Sequence, residues 1–110
     1  MTDWQTETRG ALLVGRQRGR VDERNWQAFS DDLVAAIASA QAAGQRFVVD
    51  LSGIDYMSSR GLRALSTALA AAKQAGVEMS LAAPGAAMQQ ILAISRYDKL
   101  FTIHATPVAV

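Results

Sequence analysis

The stretch Phe47-Val48-Val49-Asp50-Leu51, continuing as Ser52-Gly53-Ile54-Asp55-Tyr56-Met57-Ser58-Ser59-Arg60-Gly61-Leu62, decides how this chain is read. Its opening is apolar and β-branched, carries one charge near its end, and is bounded by Gly44 and Gly53. Such a run reads as a buried strand. The chain then leaves the strand and enters a helix over residues 62–75, where Leu62, Leu65, Leu69 and Ala72 line one face and Gly76 is a natural stop. Ser58 and Ser59 fall where the helix cap belongs. A helix start offers free backbone N–H groups and a partial positive charge. One serine can simply cap it, worth about 1 kcal/mol. The same place also favours an anion such as a phosphate, which would add a charge of about −1.5 to −2. Both roles are open at this point.

Strands and helices alternate on either side of that stretch. Downstream, residues 77–82 read as a strand. Residues 84–95 read as a helix with Pro84 in its first turn and Met88, Ile91, Leu92 and Ser95 along its inner stripe. Residues 101–104 form a short last strand. Upstream, residues 22–43 read as a turn and then a helix, with Trp26 leading into Phe29, Leu33, Ile37 and Ala40 and Gly44 as the stop. Residues 11–20 read as one strand. This order predicts an α/β fold whose central strands run parallel. In such sheets ligands and partners meet the carboxyl ends of the strands, which is where the Ser58-Ser59 segment begins.

Composition narrows the function classes. The 110 residues amount to one domain. Leu, Ile, Val and Phe make up 26 of 110, above the roughly 20% below which chains stay disordered, so a core is expected without a metal or disulfide. The 21 alanines cluster mainly in the helical segments. A net charge of +1 argues against direct nucleic-acid binding, which draws on a basic excess. With no cysteine and one histidine, His104, neither thiolate nor multi-histidine metal sites arise, and no metal or cofactor is expected. Residues 1–10 hold Asp3 and Glu7 and no apolar signal-peptide core. No apolar run approaches the roughly 18–20 residues of a membrane span, so a cytoplasmic protein is expected.

Three further features have plain readings. Arg16, Arg18 and Arg20 share one strand face, which the charge balance assigns to solvent rather than to a basic binding strip. Asp31 and Asp32 are consecutive on a helix and do not face each other, so they read as a solvated helix start rather than a catalytic pair. A hydrolase using Ser59 as nucleophile lacks an adjacent base, and the Gly-x-Ser-x-Gly spacing is absent. His104 reads as a partly buried structural residue.

Val49-Asp50-Leu51-Ser52, Ile54, Tyr56-Met57 and Ser58-Ser59-Arg60-Gly61-Leu62 resemble the signature of the STAS domain, found in bacterial anti-sigma factor antagonists and sulfate transporters. Gly19-Arg20-Val21-Asp22 resembles the family's turn before its first helix, and Leu81-Ala82-Ala83-Pro84 with Ile91-Leu92 its third-helix region. The resemblance spans residues 11–104 and implies an α/β STAS-like domain over residues 1–110. The expected architecture is a mixed central sheet of about four to five strands packed by three or more helices. In stand-alone members a serine of the motif is phosphorylated by an ATP-dependent kinase that is also the anti-sigma factor, and a phosphatase resets it. The unmodified form binds that kinase and releases the sigma factor.

The resemblance places the phosphoacceptor at Ser59 and the family's loop acid at Asp22. It implies a partner surface of Asp22, Met57, Ser58, Ser59, Arg60, Gly61 and Arg63, no enzymatic activity, and a serine kinase/anti-sigma factor and a phosphatase as partners. A homodimer is left open. The alternative is a STAS accessory subunit of a transporter, binding its ATPase subunit through the same helix. Three departures stand out: Ser58 replaces the usual Asp, Arg60 replaces a small residue, and Pro107 near the end suggests a final helix that is short or absent. Arg60 is expected to contact the partner directly. Arg63, one helical turn after Ser59, is a second candidate for meeting a phosphate.

Overall fold

The apolar run of the central stretch becomes a strand between two parallel neighbours. In the computed structural model, which describes residues 3–107, β4 (Arg46–Asp50) pairs in parallel with β2 (Leu12–Gln17) on one side and β6 (Met79–Ala82) on the other. Burial on both faces explains why it reads as a continuous apolar segment. β1 (Trp4–Arg9) adds an antiparallel edge to β2, and β7 (Ile103–His104) closes the other edge beside β6. The sheet is therefore mixed and five-stranded among the described residues, in the order β1-β2-β4-β6-β7. The expected α/β class and strand number hold.

The helices α1 (Trp26–Ala43), α2 (Ser59–Ala75) and α3 (Ala86–Ile94) follow β3 (Gly19–Val21), β5 (Ile54–Met57) and β6. Their inward residues share one core with alternate strand residues: Phe29, Leu33 and Ile37 of α1, Leu65 and Leu69 of α2, and Met88 and Leu92 of α3 meet Leu13, Phe47, Val49 and Leu81. Successive steps across the sheet run in one direction, and right-handed crossovers then bring the helices to one face. The opposite face carries a smaller cluster of Leu12, Val14, Val48 and Ala82. No described helix is long and apolar enough to cross a membrane.

Several boundaries differ from expectation for identifiable reasons. Residues 11–20 are not one strand. The strand breaks at Arg18, and the chain resumes as β3 (Gly19–Val21) at Gly19, whose φ of +84° no side chain favours. β3 pairs in parallel with β5 (Ile54–Met57), a second short strand where a direct entry into the helix was expected. β1 lies in residues given no structure from sequence; its residues are mostly exposed, so no apolar alternation marks it. Asp31 and Asp32 stand in the second turn of α1 rather than at its start, with Asp31 accepting a hydrogen bond from Gln27 at 3.2 Å. Burial, and then the charge of Asp31, raise the Asp32 carboxyl above its ordinary value. Pro84 precedes the cap of α3, which is Gly85. The chain after Pro107, where a final helix was in question, lies outside the described residues.

Candidate functional site

The start of α2 is seated by the ladder of β3 and β5. Ser58 closes β5 in an extended conformation, and its N–H donates to the Val21 carbonyl of β3 at 2.8 Å. Its hydroxyl accepts from the Gly61 N–H at 3.3 Å, which makes it the N-cap of α2. Ser58 is 8% exposed and committed through both backbone and side chain. Met57 is 2% exposed and belongs to the core, and Gly61 is buried on top of it. A Cβ on Gly61 would stand 2.5 Å from Met57 Cγ and 2.8 Å from Val21 Cγ1, so glycine is needed for the helix to lie this close. Of the partner residues expected from sequence, Met57, Ser58 and Gly61 are thus buried and build the floor of the site.

Ser59, Arg60 and Arg63 are exposed on the first turns of α2. No acid stands in the first turn. Arg60, expected from sequence to meet a partner, is exposed and also engaged within the chain. Its Nε lies 3.2 Å from Glu23 Oε2, and its guanidinium covers the Trp26 ring at 5.5 Å. Arg60 so fastens α2 to the entrance of α1. Arg60 and Arg63 border a groove of about 320 Å³ between the two helices, together with Trp26, Ser30, Ala64 and Thr67.

Asp22 shapes that entrance. One carboxylate oxygen accepts from the Arg24 N–H at 3.0 Å and the other lies 3.6 Å from Arg20 Nε. The Asp22 N–H donates to Asn25 Oδ1 at 2.8 Å, and Asn25 Nδ2 donates to the Arg20 carbonyl at 2.7 Å. The turn before α1 is therefore rigidly tied to β3, the strand that also holds Ser58.

The three upstream arginines do not form a strip. Arg16 is half-buried, with Nε 3.0 Å from Asp50 Oδ2 and Nη1 3.6 Å from Glu7 Oε1. Arg20 stacks on Tyr56 of β5 at 4.6 Å. Burial would raise the Asp50 carboxyl, but hydrogen bonds from Ser52 and the hydrogen bond and charge of Arg16 outweigh it and hold it below the ordinary carboxylate range. Sequence reasoning missed Tyr56, Glu23 and Trp26 as parts of this surface. Tyr56 is exposed with Asp55 between buried Ile54 and Met57, a placement that follows from the pairing of β5 with β3. For Glu23 nothing local marks its partner.

A larger groove, about 590 Å³, lies at the ends of β6 and β7 and includes Ala83, Asp98 and half-buried His104, but no residue of the α2 start. Among the described residues no cluster of His, Cys, Asp or Glu could hold a metal ion.

The family model described as "Mlab, STAS domain" matches residues 7–103. The chain belongs to the STAS domain family. Among curated relatives, this STAS chain is 29% identical over 99 residues to the anti-sigma-F factor antagonist RsfA of Mycobacterium tuberculosis, a match covering 87% of this chain and 74% of that protein. An anti-sigma-factor antagonist (STAS) domain protein from Planctomyces limnophilus has the same fold, with a TM-score of 0.81 at 17% identity over 96% of this chain and 92% of that one. So does the anti-sigma factor antagonist SpoIIAA in its unphosphorylated form, with a TM-score of 0.73 at 16% identity over 94% and 88%. SpoIIAA of Bacillus is also known in a phosphorylated form, with a TM-score of 0.63 at 18% identity over 94% and 91%.

Proposed function

We propose that this protein is an anti-sigma factor antagonist-like partner-switching regulator: a cytoplasmic binding module, one domain over residues 1–110, controlled by phosphorylation of Ser59. One observation carries the reading. Of the two adjacent serines of the motif, Ser58 is buried as the helix cap and Ser59 is exposed on the first turn of α2. RsfA and SpoIIAA, both named as antagonists, support the class of partner, and the phosphorylated form of SpoIIAA supports the type of control.

The chemistry belongs to the kinase. As a bond forms between Ser59 Oγ and the γ-phosphorus of ATP, the bond to ADP breaks and the hydroxyl proton passes to a base of the kinase. The unmodified serine packs against the kinase/anti-sigma factor at the surface formed by Asp22, Ser59, Arg60 and Arg63. A phosphate there must be desolvated or meets like charge, and the complex weakens until a phosphatase removes it.

The test uses the purified protein, its cognate kinase and ATP, with the phosphate mapped by peptide mass spectrometry. Phosphate is expected on Ser59; phosphate mainly on Ser58, or undiminished incorporation in Ser59→Ala, refutes the assignment. Calorimetry with the same kinase should give weaker binding for Ser59→Asp, and equal affinity would remove the switch. Capture of a transporter ATPase subunit by wild type and Ser59→Asp alike would instead support an accessory transporter subunit.

A further inference from the structure

The exposed turns of α2 carry two arginines in unequal situations. Arg60 is occupied, paired with Glu23 at 3.2 Å and stacked on Trp26 at 5.5 Å. Arg63 lies at the rim of the same groove with no acidic side chain in ion-pair contact among the described residues. Asp22 and Glu23, the acids of the α1 entrance, are engaged by Arg20 and Arg60. Ser59 and Arg63 are four residues apart on one helix, so their Cβ atoms stand about 5–6 Å apart on a shared face. Both are exposed.

We propose that Arg63 is the internal receptor for a phosphate on Ser59. The guanidinium swings from the groove rim along α2 and meets the phosphate oxygens with charge-assisted hydrogen bonds, for which its planar fork is suited. Arg60 does not take this role, because leaving Glu23 and Trp26 forfeits an ion pair and a cation–π contact in exchange for one new pair. Phosphorylation then alters the surface twice. It places a partly neutralised phosphate on the first turn of α2, and it withdraws one of the two guanidiniums that border the groove between α1 and α2. A partner that reads the groove senses the modification even where it does not touch Ser59.

This inference rests on Ser59 as the phosphoacceptor, and its test is independent of any kinase. Phosphoserine is installed at position 59 through an expanded genetic code. The second ionisation of its phosphate, ordinarily near pH 6, is followed by phosphorus NMR in wild type, Arg63→Gln, Arg63→Lys and Arg60→Gln. Wild type should titrate below Arg63→Gln by roughly 0.2–0.7 unit, the span that corresponds to the measured worth of an exposed ion pair. Arg63→Lys should recover part of that shift, and Arg60→Gln should titrate as wild type. An Arg63→Gln titration that coincides with wild type, or a larger displacement in Arg60→Gln, overturns the proposal. Either result removes Arg63 as the receptor and leaves Ser59 standing as the acceptor; kinase-borne phosphate mapped to another residue removes the acceptor, and the inference with it, whatever the titrations give.

Discussion

Gly61→Ala tests whether the start of α2 is seated by close packing on β3 and β5. The added Cβ would lie 2.5 Å from Met57 Cγ, 2.8 Å from Val21 Cγ1 and 3.4 Å from Met57 Sδ. Carbon atoms rest at about 3.5–4 Å, so both neighbours must retreat by roughly 1 Å. Neither has room: Met57 is 2% and Val21 0% exposed, and Val21 is β-branched and stiff at χ1. Overpacking of this kind costs about 1–3 kcal/mol. Alanine in place of glycine inside a helix returns up to about 1 kcal/mol. With that return in full, the expected net loss is about 0–2 kcal/mol, up to several degrees in Tm. Urea unfolding measures it, and a double-mutant cycle locates it. Met57→Ala alone should cost about 2–5 kcal/mol by opening a cavity. In that background the new methyl fills space instead of crowding it, so the two changes should be coupled by about 0.5–3 kcal/mol. Wild-type or higher stability in Gly61→Ala, with unchanged amide shifts over residues 57–63, would refute the packing argument.

Other changes probe separate parts of the molecule. Ser58→Ala should lower stability by about 0.5–2 kcal/mol in urea unfolding, because the Gly61 N–H loses its acceptor at a buried helix start. Leu65→Ala should cost about 2–5 kcal/mol, since Leu65 is fully buried between α2 and the sheet; a loss below about 0.5 kcal/mol would contradict that placement. Asp50 predicts a pH dependence. A carboxyl held below its ordinary value contributes stability that is complete above its unfolded pKa, near 4, and is lost as pH falls through the lower folded value. Urea midpoints should therefore drop below about pH 4, and Arg16→Gln should lower the midpoint at pH 7 while reducing that acid loss. An undiminished acid loss in Arg16→Gln would show that the pair with Arg16 contributes nothing to the shift.

The parts of the fold legible in the sequence are those where periodicity and burial coincide. The run from Phe47 to Asp50 is buried on both faces, and the stripes of Phe29, Leu33 and Ile37 and of Leu65 and Leu69 each face one core, so pattern and structure agree. Strands β1, β3 and β5 were not legible. β1 is mostly exposed, β3 depends on a positive φ at Gly19, and β5 has only Ile54 and Met57 to mark it. The site was legible as a location but not as a division of labour. That Met57 and Gly61 pack under the helix follows from β5, which the sequence did not disclose. That Arg60 turns to Glu23 and Trp26 depends on how α1 lies against α2, a tertiary contact with no local pattern.

Two adjacent serines become unequal because a helix begins between them. Ser58 lies outside the helix in an extended conformation, with its N–H given to Val21 and its hydroxyl turned to Gly61. A phosphate on that buried oxygen would break the cap and bury a dianion, so modification there requires α2 to open at its start. Ser59 is the first helical residue and is exposed, so a phosphate there would not have to displace the cap. The same geometry explains why serine stands at position 58 in place of the family's usual Asp without loss of the fold. Both residues are good N-caps, because each supplies an oxygen to an orphan N–H of the first turn. What changes is charge: an Asp cap would set a carboxylate one residue before the acceptor, and Ser58 sets none. The surface beside Ser59 is correspondingly less acidic. A phosphate on Ser59 would enter a first turn that itself carries no acid, with Arg63 one turn away.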